Sequence, residues 1–469
     1  MKRMIDKKII YFLLLVVATI FVSVFLTQSP ASTIYYFVIL IMYAKSKDES
    51  FWLAFFFVTT DGFFGFFGMY STLLNILPGL PGIEISQFYI LIALSKIWKF
   101  RKNNIPFYKN WTVILFAYTI FLFFLGLANG LNGDLNVYFK IAKLILPLAL
   151  FYTTPRLFKS IDQYANLLKY FFIVFLFAFV AQLFTIATGL SPAANFAIRS
   201  EDELEVGRNL RSYYNPYISL VVMCGALFFL AAKQQKFFSK TLLNIMVILC
   251  FSMAFLSATR GWIIAFGFII FSYNVFVNKM QLKNLLLIIS LFIIAITISL
   301  SFEKVNKQIM FSIERTLTLE SLAKGDKTAS GTLIRLDERG PPVMEAWEKS
   351  PVFGHGFSNV YFLRQDPHVG NLTLLLHSGI VGVCLMAMFF IFVMKSLIQS
   401  SLSVYDNPYK KSGLVIVIFL MGWFFIHSTS GQHFGYFGIP GYIFPQAIVL
   451  AMANIAIKYR SHKHESSIQ

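Results

Sequence analysis

An arginine interrupts two long apolar stretches of this sequence, at Arg260 in FLSATRGWIIAF. A guanidinium in such a setting costs several kcal/mol unless it is paired or reaches water. Its planar fork of donors suits a phosphate group, and Gly261 beside it permits a close backbone approach. An anion-binding site is one interpretation. A structural ion pair, or a side chain that reaches the lipid headgroups, is the other, and the residue alone does not decide between them.

Two further arginines, Arg208 and Arg211, precede an apolar stretch in VGRNLRSYYNPY. Tyr213, Tyr214 and Tyr217 could add an aromatic platform, but tyrosines are common at membrane interfaces. Interfacial anchoring with the arginines paired to nearby acids is therefore the simpler interpretation, and the available acids are Glu201, Asp202, Glu203 and Glu205.

His368 is the histidine best placed for acid-base chemistry. It stands in RQDPHVGNL, where a polar segment meets an apolar one, and an unperturbed imidazole titrates near working pH. A lone histidine at such a junction is more often structural. His377 falls inside the next apolar stretch and indicates helix packing, whereas His355 and His433 compete with His368 for the role of a base.

Metal and nucleotide motifs are absent from the sequence: it has no D-x-D, H-E-x-x-H or C-x-x-C and no P-loop. The acids Asp61, Glu84 and Asp134 stand alone. Beside Asp61, the segment GFFGFFG has a glycine spacing that more often marks close helix packing than a ligand site. We therefore predict neither a metal nor a cofactor.

Membrane helices must position these residues. Of the 469 residues, 57% are hydrophobic and only 13% are charged, against about 25% charged in soluble proteins. Apolar stretches near the length of a membrane span, about 20 residues, recur along the chain. We predict an all-α fold, a polytopic transmembrane bundle with about 12 to 14 spans. The candidate spans are 9–26, 33–44, 51–67, 86–98, 111–128, 139–153, 170–188, 213–232, 241–257, 261–277, 285–302, 370–394, 413–429 and 437–457.

The net charge of +18 follows the predicted topology. With the N-terminus inside, 25 of the 40 basic residues and 6 of the 22 acids fall in cytoplasmic segments, which gives +19 inside and −1 elsewhere. Basic loops alternate with neutral ones, as the positive-inside rule requires. Because apolar stretches separate the basic clusters, the charge does not indicate nucleic-acid binding. Both termini are predicted to be cytoplasmic.

Three regions follow from this count. Residues 1–302 hold about 11 spans, 303–369 form a large outer loop, and 370–469 hold about 3 spans and a short tail. In the loop, EKVNKQIMFSIERTLTL predicts an amphipathic helix with Val305, Ile309, Ile313 and Leu317 on its apolar face. The stretch AKGDKTASGT is predicted to be flexible. A second helix is predicted in PPVMEAWEKS, starting at the prolines and ended by Pro351.

Taken together, residues 205 to 395 resemble the O-antigen ligase and polymerase superfamily, membrane enzymes that move lipid-linked glycans on the outer face of the bacterial inner membrane. Members show a small-residue-plus-arginine motif between two spans, like Ser257–Gly261. They then have a long outer loop with an arginine, a tryptophan and a P-x-x-G-x-G turn. The matching residues here are Arg335, Trp347, Pro351, Gly354 and Gly356.

The end of the loop also matches the family pattern. Members have His-Asn, a leucine four residues after the histidine, and glycines eleven and fourteen after it; the matches are His368, Leu372, Gly379 and Gly382. Val369 replaces the usual asparagine, and Asn371 is a candidate substitute for it. An upstream arginine followed by an N-P turn is matched loosely by Arg211 and Asn215–Pro216.

The resemblance implies a metal-independent, inverting glycosyl transfer. Its donor would be an undecaprenyl-diphosphate-linked glycan in membrane lipid, and its acceptor lipid A-core or a growing glycan. Arg211 and Arg260 would bind the diphosphate, Arg335 would contact the diphosphate or the glycan, and His368 would deprotonate the acceptor hydroxyl on the periplasmic face. Supporting roles would fall to Arg208, Asn215 and Asn371.

Alternatives remain open. A repeat-unit polymerase of the same superfamily fits the same motifs. A transporter of a lipid-linked oligosaccharide or an anion would also use an intramembrane arginine, but transporters usually show inverted repeats and broken helices, and the sequence indicates neither. A scaffold for envelope assembly would leave Arg260 unexplained.

Overall fold

The computed structural model describes residues 7–26, 29–60, 72–74, 82–99, 105–131, 133–188, 216–233, 236–279, 303–324, 334–366, 369–403, 408–430, 438 and 440–458. The described residues are about 85% helical, with almost no sheet among them. Each predicted span that falls on described residues coincides with a helix. The span at 285–302 and most of the flexible stretch at 323–332 lie outside the described residues.

The first of two compact units combines Met1–Phe107, Ala142–Met253 and Gly438–Gln469. A short antiparallel hairpin pairs β1 (Leu73–Leu74) with β2 (Ile83–Glu84). The described helices of this unit are α1 (Lys7–Phe25), α2 (Pro30–Lys45), α3 (Glu49–Thr60), α4 (Ile85–Lys99), the end of α6 (Leu135–Ile145), α7 (Leu150–Leu157), α8 (Ile161–Thr188), α9 (Pro216–Ala232), most of α10 (Lys240–Leu256) and α17 (Pro440–Lys458).

The second unit combines Tyr108–Ile141 and Ala254–Phe437. It contains the arginine motif and the segment that joins it to the last spans. Its described helices are α5 (Lys109–Ala128), α11 (Arg260–Ser272, continued as a π-helix over Tyr273–Val277), α12 (Glu303–Ala323), α13 (Ile334–Trp347), α14 (Asn359–Arg364), α15 (Gly370–Leu402) and α16 (Lys410–Ser430).

Among the described residues, six helical segments are long and apolar enough to cross a membrane. Helices of this length and apolarity are typical of a membrane protein. The segments are Lys109–Ala128, Leu135–Leu157, Ile161–Thr188, Arg260–Val277, Gly370–Leu402 and Lys410–His427.

A nearly buried ion pair holds three helices of the first unit together. Lys96 Nζ on α4 lies 2.8 Å from Glu49 Oε1 at the start of α3 and donates to the carbonyl of Ser46 after α2. Its ammonium also lies 3.9 Å from the centre of the Tyr43 ring. Because removing one member would leave the other buried and uncompensated, this pair fixes how α2, α3 and α4 meet.

The second predicted helix of the loop starts earlier than expected. The sequence placed its start at the prolines, but α13 begins at Ile334 and contains Pro341 and Pro342. A proline ring clashes with the Cβ of the residue before it, and Gly340 in that position has none. The missing side chain therefore relieves part of the strain that would otherwise end a helix there.

The segment predicted as an amphipathic helix is helical and forms α12, but the residues it buries differ from the predicted apolar face. Ile309 is buried, whereas Leu317 is 60% exposed. Gln308 and Ser312 are the polar residues buried beside Ile309. The contact face of α12 is therefore partly polar, and the spacing of apolar residues does not reveal such a face.

Candidate functional site

A strained three-residue link joins α10 to α11. Ala258 in this link has a φ of 52°, a left-handed conformation that costs a non-glycine residue about 1 kcal/mol or more. The Ser257 hydroxyl donates to the carbonyl of Ala254 at 2.6 Å, and the Thr259 amide donates to Ser257 Oγ. These local bonds stabilise the turn, and the turn makes Arg260 the first residue of α11.

Arg260 is 9% exposed and begins a helix that is apolar enough to span a membrane. A helix N-terminus carries a partial positive charge and unsatisfied backbone N–H groups. A cation on the first turn adds to this positive potential, and the two together attract an anion. This position suits Arg260 to binding an oxyanion.

The loop helix α12 reaches this link. Gln308 Nε2 donates to the carbonyl of Leu256 at 2.7 Å, at the last residue of α10. Carbonyls at a helix C-terminus have no partner within the helix, so the Gln308 amide satisfies one of them. Residues of the long polar segment thus lie directly beside the Ser257–Gly261 motif.

A second motif of the loop docks into a broken helix. Helix α15 is interrupted at Gly379, which has φ 59° and ψ −172°. The residues Pro351–Phe357, which we name the docking turn, fill this break. His355 and Gly356 donate their amides to the carbonyls of Leu376 and His377, at 2.8 and 2.9 Å.

The docking turn also satisfies the other half of the broken helix. The amides of Ile380 and Val381 donate to the carbonyls of Pro351 and Val352, at 3.0 and 3.1 Å. The Tyr118 hydroxyl on α5 donates to the carbonyl of Ser378 at 2.6 Å. A break in a membrane helix is tolerated only where its freed polar groups find partners, and the turn supplies most of them.

Glycines make this docking possible. A Cβ on Gly354 would lie 2.6 Å from the carbonyl oxygen of His377, and one on Gly126 would lie 2.7 Å from the backbone of Phe357. Cβ groups on Gly356 and Gly379 would overlap the carbonyl oxygens of Leu122 and Val352 respectively. The glycines that the sequence placed in two separate motifs therefore belong to one backbone-to-backbone contact.

His377 packs inside this contact, as predicted. Its side chain is fully buried, and the rings of Phe357 and Tyr361 lie 4.4 and 4.7 Å from its own in edge-on contacts. Burial raises the pKa of the Tyr361 hydroxyl well above its ordinary value. These aromatic residues seal the docking turn against the first half of α15.

His355 is engaged by the backbone. Its Nε2 lies 2.7 Å from the carbonyl oxygen of Ala346 in the last turn of α13, and the residue is 8% exposed. Since a carbonyl only accepts, Nε2 carries the proton. His355 therefore caps α13 and is a poor competitor for the role of a base.

We expect His355→Leu to destabilise the protein by about 1 to 3 kcal/mol, because it leaves the buried Ala346 carbonyl without this donor. His355→Gln, which retains an N–H donor, should lose less. The measurement is thermal unfolding of the purified variants in detergent by tryptophan fluorescence. Equal midpoints for wild type and His355→Leu would contradict the capping role.

The structure describes only some of the remaining candidate residues. Asn371 is exposed in the first turn of α15. Arg335 belongs to α13, but its side chain is outside what the structure describes. The other candidates, Arg208, Arg211, Asn215 and His368, lie outside the described residues.

Glu84 does not stand alone, contrary to the expectation from sequence. Ser86 Oγ donates to its carboxylate at 3.3 Å, and the Lys143 ammonium donates to the carbonyl of nearby Gly82 at 2.8 Å. Burial raises the pKa of the Glu84 carboxyl, and the charge of Lys143 opposes this shift. Among the described residues, no three His, Cys, Asp or Glu side chains gather as a metal site would require.

Several site residues carry no recognisable motif. Gly126, Tyr118 and Gln308 interact through contacts with residues distant in the sequence. The available signals were a glycine and a tyrosine inside an apolar span and a glutamine on the amphipathic helix.

No family model matches the chain, and no curated protein matches it significantly.

Proposed function

We propose that the protein is a membrane glycosyltransferase of the O-antigen ligase type. It moves a glycan from an undecaprenyl-diphosphate donor to an acceptor hydroxyl, in the biosynthesis of lipopolysaccharide or another surface polysaccharide. The observation that carries the proposal is the docking of Pro351–Phe357 into the break at Gly379. Two motifs of the resemblance, separated in sequence, form one contact, which supports reading them as parts of one site.

Arg260 supports the same reaction by its position. In the proposed mechanism, Arg260, with Arg211 and Arg335, binds the diphosphate and stabilises the charge that develops on the leaving group. His368 takes the proton of the acceptor hydroxyl as its oxygen attacks the anomeric carbon. The bond from that carbon to the diphosphate breaks, the configuration inverts, and the lipid diphosphate leaves. No residue in this scheme requires a metal.

The proposed location is the bacterial inner membrane, with both termini cytoplasmic and residues 303–369 on the periplasmic face. The distribution of basic residues supports this orientation. A lipid-tailed donor requires a cavity open to the membrane, and its diphosphate requires cations near the headgroups. The position of Arg260 as the first residue of an apolar helix supports this proposal.

Reconstitution provides the direct experiment. The purified protein is placed in liposomes with an undecaprenyl-diphosphate-linked glycan and lipid A-core, and the product is followed on gels. Transfer by wild type and its absence with His368→Ala are expected. If wild type forms no product with lipid A-core or with a second lipid-linked glycan as acceptor, the proposed function is wrong.

A repeat-unit polymerase is the alternative within the same chemistry. Surface-glycan gels of a deletion strain distinguish the two. Loss of all core-linked glycan indicates a ligase, and a core that carries one repeat unit indicates a polymerase. An unchanged ladder contradicts both.

A transporter is the second candidate, and the broken helix α15 is the observation that favours it. The sequence indicates no broken helix, and the break at Gly379 shows that this expectation is wrong. In transporters, the freed backbone groups of a broken helix bind the substrate or its coupling ion. Here the carbonyls of Leu376 and His377 and the amides of Ile380 and Val381 already bond within the protein. These four groups are therefore occupied and do not form a substrate site of the kind that a transporter uses.

A further inference from the structure

The hydroxyl of Thr373 clamps the chain just before α15. Thr373 Oγ1 donates to the carbonyl of Asp366 at 2.7 Å and accepts from the amide of the same residue at 3.1 Å. The threonine is 2% exposed. A helical threonine commonly bonds the carbonyl four residues back, but this one reaches seven residues back to hold both polar backbone groups of Asp366.

Other contacts of Asp366 restrain the same position. The Val369 amide donates to the Asp366 carbonyl at 3.2 Å, and Arg339 on α13 lies 3.6 Å from the Asp366 carboxylate. Asp366 and Val369 flank the dipeptide Pro367–His368 in the chain. Asp366 is therefore held against the first turn of α15, and Val369 at the N-cap of this helix bonds to the same residue.

The first half of α15, which carries Thr373, is also held in place where it ends at the break. The docking turn bonds the carbonyls of Leu376 and His377, and Tyr118 bonds that of Ser378. Thr373 lies one turn before these anchors, so its hydroxyl has a defined position. The docking turn therefore holds the first half of α15, and Thr373 on that half holds Asp366.

We propose that Thr373 is a positioning residue, which holds the backbone beside His368 so that the imidazole meets the acceptor hydroxyl. This inference rests on the proposed function, in which His368 is the base. Thr373 does not touch substrate in this role. It acts through Asp366, and the ion pair to Arg339 assists it, although that pair is partly exposed and correspondingly weaker.

The test compares Thr373→Val, which keeps the shape and removes the hydroxyl, with Thr373→Ser, which keeps the hydroxyl. A misplaced catalytic group costs up to about 100-fold in rate, so kcat of Thr373→Val should fall about 10- to 100-fold with KM nearly unchanged. Thr373→Ser should recover most of the rate. Thr119→Val is the matched control, because Thr119 is equally buried and its hydroxyl bonds only the carbonyl of Leu115.

Hydrogen exchange gives a readout that does not depend on activity. The amides of Asp366 and Val369 should exchange faster in Thr373→Val than in wild type and Thr373→Ser. Unchanged turnover in Thr373→Val overturns the proposal, and so does an equal loss in the Val and Ser variants, which would indicate packing alone. If wild type transfers no glycan, the proposed function fails and the positioning role with it, while exchange still shows whether the hydroxyl holds this backbone.

Discussion

Replacing Arg260 by alanine is expected to reduce glycan transfer by about 10²- to 10³-fold, the cost of losing one preorganised donor to a developing anion. Arg260 is the first residue of α11, so the charge of its guanidinium adds to the partial positive charge at the N-terminus of the helix. As the diphosphate leaves, its negative charge grows, so the interaction strengthens towards the transition state. The loss should therefore appear mainly in kcat, measured in liposomes with saturating lipid-linked donor.

Arg260→Lys separates charge from geometry. Lysine keeps the charge but lacks the planar fork that binds two phosphate oxygens, so an intermediate rate is expected. Arg156→Ala is the matched control. The guanidinium of Arg156 donates to the Tyr152 carbonyl at 2.9 Å and stacks on the Tyr152 ring. Arg156 is therefore an arginine with defined contacts that does not belong to the proposed site. Wild-type transfer by a folded Arg260→Ala would remove Arg260 from the mechanism.

The positions of the helices could be predicted because they depend on local composition. Apolar stretches gave spans such as 111–128 and 413–429, which coincide with α5 and α16. Arg260 could be singled out for the same reason, because a charge between apolar stretches is visible without a fold. Proline was less reliable: Pro341 and Pro342 lie inside α13, because a helix start depends on the residues before it as well as on the proline.

Contacts between distant residues could not be predicted from a single sequence. Gly354 and Gly379 both belong to motifs of the sequence, but nothing in their spacing shows that they touch, since 24 residues lie between them. Gly126 carries no distinctive signal, because a glycine in an apolar span usually reflects helix packing. The same limit applies to Glu84 in β2, because Lys143, whose charge acts on it, belongs to helix α6, about 60 residues further along the chain.

The break in α15 has a physical cause that becomes apparent only from the contacts. Nothing in LLLHSGIVGVCL distinguishes it from a continuous apolar helix. Gly379 permits the conformation but does not require it. The docking turn stabilises the broken form by replacing the hydrogen bonds that the helix gives up, at Leu376, His377, Ile380 and Val381.

Gly379→Ala is therefore expected to destabilise the protein by at least about 3 kcal/mol. The backbone of Gly379, at φ 59° and ψ −172°, lies in a region that is essentially restricted to glycine. An added Cβ would also overlap the carbonyl of Val352 in the docking turn. The variant must either strain the break or expel the turn, and both outcomes lower the midpoint of thermal unfolding in detergent.

Gly413→Ala is the matched control for this prediction. Gly413 is also buried in a helix, α16, but a Cβ there meets only Leu397 atoms at 3.6 Å, an ordinary contact. Since alanine is the better helix former by about 1 kcal/mol, this variant should be as stable as wild type or slightly more so. Equal midpoints for the two variants would contradict the docking. If Gly379→Ala still folds, faster exchange of the Ile380 and Val381 amides would show that the turn has left the break, because the carbonyls of Pro351 and Val352 protect them.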